Sequence, residues 1–212
     1  MTRKLLVALL AASGLLSGCD AMAYTLYVLF PSAREKEVEA ECKELAGQSL
    51  AIVVYADRQT EFAYPGVRRS VAAVVMGELT QRLEGLRVID PALVTRYQDN
   101  NIYWDETPKT DLGKAFMADY VLFLSLVEYS TREPGSLNLY RGRITAQAGL
   151  YKTLLPERKA RVWSAREVRV RFPEHDPTGE PSESDRVIRE TTERLFADKL
   201  AKKFYDHKVP IE

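Results

Sequence analysis

Apolar positions along the chain recur in two rhythms, and each rhythm predicts a different element. Ala51-Ile-Val-Val-Tyr55 is a continuous, largely β-branched run, the pattern of a strand buried on both faces. After Pro65-Gly66, the residues Val67, Val71, Val74, Val75, Leu79 and Leu83 follow at steps of three and four, which predicts an amphipathic helix. Leu86-Arg-Val-Ile-Asp90 reads as a second strand, and Pro91 suits the first turn of a helix over Ala92 to Tyr97. A β-α-β order of this kind predicts a parallel crossover.

A short helix near Asp111 to Met117 comes next, then Asp119 to Tyr129, the strongest strand pattern in the chain and so the expected centre of the sheet. Glu133-Pro134-Gly135 turns the chain into two alternating segments, Leu139 to Leu155 and Ala160 to Phe172, separated at Pro156. Period-two alternation predicts an antiparallel hairpin with one packed and one wetter face. A Pro-, Glu- and Ser-rich loop over Pro173 to Ser184 leads to a last helix with Ile188, Leu195, Phe196, Leu200 and Phe204 facing inward. The expected fold is α/β: a single mixed sheet in the order β-α-β-α-β-β-β-α with helices packed on it.

The amino terminus carries a different message. Arg3 and Lys4 precede an apolar run from Leu5 to Leu16, about the length of a signal-peptide core and short of the roughly 20 residues of a spanning helix. Leu16-Ser17-Gly18-Cys19 resembles the bacterial lipobox, which implies diacylglycerol on the Cys19 thiol and cleavage just before it. The alternative is an uncleaved anchor continuing to Phe30. It would place Asp20 inside the span, at a cost of about 2.5–3.5 kcal/mol near its middle. The expected divisions are a leader over 1–18, a lipidated tether over 19–48 and one α/β domain over 49–212. Tyr24 to Phe30 fits equally a segment in the membrane interface and a strand of the fold. In the tether, Ser32-x-x-Glu35 has capping-box spacing, but Val38, Cys42 and Leu45 make only a thin apolar stripe. A solvated spacer is the expectation there.

Charge narrows the partners. The 212 residues hold 30 basic and 30 acidic side chains, which argues against nucleic acid as partner. Losing Arg3 and Lys4 with the leader leaves 28 basic against 30 acidic residues, a net charge of −2, so membrane attachment would rest on acyl chains. Asp20 does not decide between inner and outer membrane. With Cys19 acylated, Cys42 has no partner for an intramolecular disulfide, and its glutamate-rich surroundings argue against a reactive thiolate.

Phosphate-cradling glycine loops, nucleophile elbows and metal-binding motifs do not occur, so no cofactor, metal or small-molecule substrate is inferred. His175 between Glu174 and Asp176, and the acids Asp105, Glu106 and Asp111 near Tyr103 and Trp104, read as solvated loop charge. Arg141, Arg143, Arg169 and Arg171 lie on one face of the predicted hairpin. Arginine forks suit carboxylates and phosphates, so this face is the candidate for binding an acidic protein, lipid headgroups or cell-wall carboxylates; the alternative is a solvated sheet face whose charges are paired by Glu167 and by acids on the covering helices.

Ala118-Asp119-Tyr120-Val121-Leu122 opening the third strand, together with the element order, resembles the fold shared by the TolB amino-terminal domain, the curli-secretion channel lipoprotein and the lipoprotein activators of penicillin-binding proteins. Where those families often place a glycine, Leu124 stands. The chain also resembles a set of uncharacterised bacterial lipoproteins through Ser130-Thr-Arg-Glu-Pro-Gly135, Arg141-Gly-Arg143 and Phe204-Tyr-Asp-His207. The resemblance implies a lipid-anchored envelope protein facing the periplasm. Its expected role is a non-catalytic assembly or binding factor for an envelope protein, or a self-associating structural lipoprotein joining membrane and wall.

Overall fold

The computed structural model describes residues 35–136, 138–175 and 185–210. Cys19, the segment from Tyr24 to Phe30 and Asp176 therefore lie outside the described residues. Two units are distinguished. The larger runs from Glu39 to Tyr205, and the smaller includes the described residues up to Val38 and from Asp206 onward.

In the smaller unit, β1 (Glu35–Val38) pairs antiparallel with β7 (His207–Pro210), a ribbon the apolar pattern did not announce. Lys208 Nζ stands 3.4 Å from Glu35 Oε2 across it. The capping-box spacing at Ser32 and Glu35 thus opens no helix at Glu35, which is extended.

The larger unit is the expected α/β body. Its sheet has the order β3-β2-β4-β5-β6, with β2 (Ser49–Tyr55) parallel to β3 (Arg87–Val88) and β4 (Tyr120–Arg132). The hairpin of β5 (Tyr140–Lys152) and β6 (Arg161–Phe172) continues it antiparallel. β4 is central, as its apolar run predicts. β3 shrinks to two residues, since only Ser49 and Leu50 pair with it.

Helices α1 (Arg58–Ala63), α2 (Val67–Arg82), α3 (Pro91–Asn100), α4 (Lys109–Ala115), α5 (Glu157–Ala160) and α6 (Asp185–Ala201) complete the described elements. Asp57 caps α1 by accepting from Thr60 N at 2.7 Å, and Asp90 caps α3 by accepting from Ala92 N at 2.8 Å, with Pro91 following.

α2 and α6 cover the first face of the sheet. Val71, Val75, Leu79, Phe196 and Leu200 meet Ile52, Leu122, Ile144 and Leu150 there. α3 and α4 cover part of the second face, where Val94 and Leu112 meet Ala51, Val53 and Val121. Of the residues expected inward on the last helix, Leu195 is instead 38% exposed, while Phe204 is buried past the helix end against Trp163.

Residues 39–48 correct the expected spacer. They form neither a helix nor a solvated tether: Leu45 is fully buried and Cys42 nearly so, both in the first-face core. The Cys42 N–H donates to Lys203 O at 3.1 Å. The acids that suggested solvation accept hydrogen bonds instead. Glu41 receives Trp163 Nε1 at 3.0 Å and Lys203 Nζ at 2.6 Å, and Glu44 receives Tyr120 Oη at 2.6 Å. The compact body therefore opens at Glu39, ahead of residue 49.

Candidate functional site

Alternation along β5 sends even-numbered residues from Gly142 to Leu150 toward α6 and odd-numbered ones to the second face. α3 and α4 stop short of most of that face. Their apolar core includes Tyr151 of β5, and beyond it the second face of β5 and β6 opens to solvent at Gln147, Ser164, Arg169 and Arg171.

The four candidate arginines share this face but not one environment. Arg143 lies opposite Arg171, and Thr145 opposite Arg169. Arg143 is largely consumed: Nε donates to Glu128 Oε1 at 2.7 Å, Nη1 to Glu133 Oε2 at 3.3 Å and Nη2 to Arg132 O at 3.0 Å. Arg141 is buried, donates to the His175 carbonyl and stands 3.4 Å from Glu133 Oε2. Both hold the β4–β5 end together.

Arg169 and Arg171 remain presented. Arg169 is more than half exposed and shares one 3.0 Å contact with Glu167, which is equally exposed. A pair so solvated contributes at most about 1 kcal/mol and yields readily to a better partner. Arg171 is exposed and has no ion-pair partner among the described residues. With Glu128 and Pro134 the two arginines line a hollow of about 290 Å³. A second hollow of about 490 Å³, toward α6, adds Glu174, Asp198, Lys199 and Lys202 and so has mixed charge.

Further along the same face lies a larger groove, about 680 Å³, that the sequence pattern did not reveal. Gly149 and the side chains of Ser125, Gln147 and Ser164 line it on the sheet, with Lys109, Phe123, Tyr151, Arg161 and Arg166 completing the lining. Lys109 Nζ sits 4.0 Å from the centre of the Phe123 ring and donates to Asp105 O at 3.0 Å. Burial pulls the Lys109 pKa below the usual lysine value, opposed by the charges of Glu157 and Asp105. Tyr151 lies across Gly149, where a Cβ would stand 2.8 Å from its ring.

The other sequence candidates take structural places. Trp104 is buried and packs near Tyr55 and Phe123, whereas Tyr103 is exposed, so the two aromatics do not form a shared platform. Asp111 pairs with Lys114. Burial chiefly raises the Cys42 thiol pKa, with the Glu44 charge adding to it and the Glu44 backbone hydrogen bond opposing it. Asp119 of the third-strand motif clamps two parallel strands. It accepts from Ser49 N at 2.9 Å and Ser49 Oγ at 2.6 Å, while its own N–H donates back to Ser49 Oγ.

No helix among the described residues is long and apolar enough to cross a membrane. No family model matches the chain, and no curated protein matches it significantly. Solved structures do. Lipoprotein GNA1162 from Neisseria meningitidis is 19% identical, with 63% of this chain and 85% of that one covered at a TM-score of 0.41. The PelC dodecamer from Paraburkholderia phytofirmans is 10% identical, with 81% and 98% covered at 0.46. Protein XCC0632 from Xanthomonas campestris is 16% identical, with 76% and 85% covered at 0.39. Bacterial lipoproteins are thus among the structures to which this chain is similar.

Proposed function

We propose that this protein is a lipid-anchored envelope lipoprotein that acts by binding rather than catalysis, with Arg169 and Arg171 on β6 as its contact for an acidic partner protein. Cys19 in its lipobox setting supplies the anchor. The observation that supports the contact is the charge of the sheet's outer strand. β6 carries four arginines against one glutamate and, among the described residues, pairs on one side only, with β5. Arginine forks meeting carboxylates give strong, oriented hydrogen bonds.

The same feature weighs against self-association through this edge. Two copies pairing β6 to β6 would set arginines against arginines, and like charges directly opposed destabilise a strand pair. Lys199 Nζ, donating to Arg169 O at 2.9 Å, further occupies a main-chain acceptor a second copy would need.

Two experiments test the reading. Labelled palmitate should enter the wild-type chain and not Cys19→Ser; equal labelling of both removes the anchor. In-cell crosslinking should capture one stoichiometric envelope partner that Arg169→Glu with Arg171→Glu abolishes. Unchanged capture removes this contact, and light scattering showing a stable homo-oligomer would favour the structural-lipoprotein reading instead.

A further inference from the structure

We infer that the groove between α4 and the second face of β5 and β6 binds an acidic saccharide, a sugar chain bearing carboxylate or phosphate groups. This site goes beyond the partner contact proposed above and uses neither Cys19 nor Arg169 and Arg171.

Charge sets the first requirement. Lys109, Arg161 and Arg166 line the groove, and among the described residues no carboxylate does. Arg161 and Arg166 are exposed and have no ion-pair partner among the described residues. Two guanidinium forks and an ammonium converging on one hollow select an oxyanion.

The floor sets the second requirement. Ser125, Gln147 and Ser164 face the groove, and their side chains make no hydrogen bond among the described residues. They suit a ligand with many hydroxyls. Tyr151, lying across Gly149, adds an aromatic surface against which a sugar ring can rest. A volume of about 680 Å³ falls within the roughly 300–1,000 Å³ of ordinary ligand sites.

An acidic peptide satisfies the charge but not the floor. Extended peptides are usually recognised by main-chain pairing at a sheet edge. Here the floor is a sheet face whose backbone is already paired, β4 with β5 and β5 with β6, so a peptide's own N–H and C=O groups would find few partners. A saccharide carries its polar groups outward and does not need main-chain donors.

The test is calorimetric titration of the full-length chain in detergent. The acidic probes are trigalacturonate for a carboxylate and phosphorylated maltotriose for a phosphate ester. Neutral maltotriose, triglutamate and glycerol phosphate serve as controls. At least one acidic sugar should bind about tenfold or more tightly than every control, and which one does so identifies the acid group. Arg161→Gln and Arg166→Gln should each weaken that binding by roughly tenfold or more, the loss of one charge-assisted hydrogen bond. Gly149→Ala should weaken it as well, because the new methyl displaces the Tyr151 ring, while the thermal midpoint stays near wild type. Triglutamate or glycerol phosphate matching the acidic sugars would overturn the inference, as would no binding of either sugar or arginine variants that bind like wild type. Arg169→Glu with Arg171→Glu should leave sugar binding intact, so failure here and failure of the partner contact are read separately.

Discussion

Replacing Gly142 by alanine should destabilise the fold by about 2–3 kcal/mol. Gly142 sits on the covered face of β5, beneath α6. A Cβ there would stand 1.7 Å from Thr192 Oγ1, 2.7 Å from Thr192 Cβ and 3.0 Å from its Cγ2. Rotating the threonine moves the hydroxyl away, at the loss of its 2.6 Å bond to Ile188 O. It does not move Thr192 Cβ, which is fixed to the helix, so α6 must retreat by roughly 1 Å. A gap of that size forfeits up to about half of each dispersion contact along the seam. Ile188, Phe196, Ala197 and Leu200, all fully buried, sit on that seam. Overpacking of this kind typically costs about 1–3 kcal/mol and the lost Thr192 hydrogen bond about 1 more, while relief of glycine's backbone entropy returns about 0.5–1. Urea unfolding followed by circular dichroism reads the loss, with a midpoint in a thermal scan lower by roughly 4–10 °C. Thr192→Ala removes the nearest atom, so adding it to Gly142→Ala should recover about 1 kcal/mol in a double-mutant cycle. A Gly142→Ala chain within about 0.5 kcal/mol of wild type, or a cycle without coupling, would refute the close approach.

Glu193 is buried between α2, α6 and β4, accepting from Tyr129 Oη at 2.5 Å and Ser70 Oγ at 2.9 Å. Burial holds its carboxyl above the usual glutamate range, so the folded state keeps a proton the unfolded chain has released. Stability should therefore fall as pH rises from the ordinary glutamate value through the raised one. Glu193→Gln should flatten that slope in urea midpoints taken across pH, and parallel curves would sink the reasoning. Asp119 has the opposite sign. Hydrogen bonds from Ser49 hold its pKa low, so its contribution is present above the usual aspartate value and fades as pH falls through the lowered one. Asp119→Ala should cost about 1 kcal/mol at neutral pH and progressively less in acid. Cys42 should resist iodoacetamide in the folded protein and react on unfolding, as mass spectrometry would record; rapid native labelling would place it outside the core.

The elements legible in the sequence are those whose burial is simple. β2 shows as an uninterrupted apolar run because both its faces are covered, and β5 shows as alternation because one is. α2 carries its stripe over sixteen residues, long enough for the period to stand out. Residues 39–48 defeat that logic. Only Cys42 and Leu45 enter the core, too few for any rhythm, and Glu41 and Glu44 look like solvated charge until Trp163, Lys203 and Tyr120 come to them from distant elements. The division among the four arginines is hidden for a related reason. Alternation correctly puts them on one side. What separates Arg143 from Arg171 is an irregularity of register between Leu126 and Glu128, which sets Glu128 opposite Thr145 within reach of Arg143. A period-two reading has no means of locating such a shift.

Neutrality over the whole chain conceals a local excess of cations on one face of the sheet. Glu41, Glu44, Glu128, Glu133 and Glu193 are drawn into hydrogen bonds and ion pairs that hold elements together. Lys109, Arg161, Arg166, Arg169 and Arg171 collect on the one part of the sheet that helices leave open. A balanced composition therefore coexists with a local excess of cations on this part of the sheet. The surface is what a partner meets, and its attraction for acidic groups weakens with salt over a Debye length of about 8 Å at physiological ionic strength. Signs of such an excess are present in the sequence once the hairpin is recognised: β6 has four arginines and one acid, and Gly149-x-Tyr151 opposite it leaves room for a ring to lie flat. Charge counted strand by strand, rather than over the chain, adds Arg161 and Arg166 to the arginine face that alternation already marks.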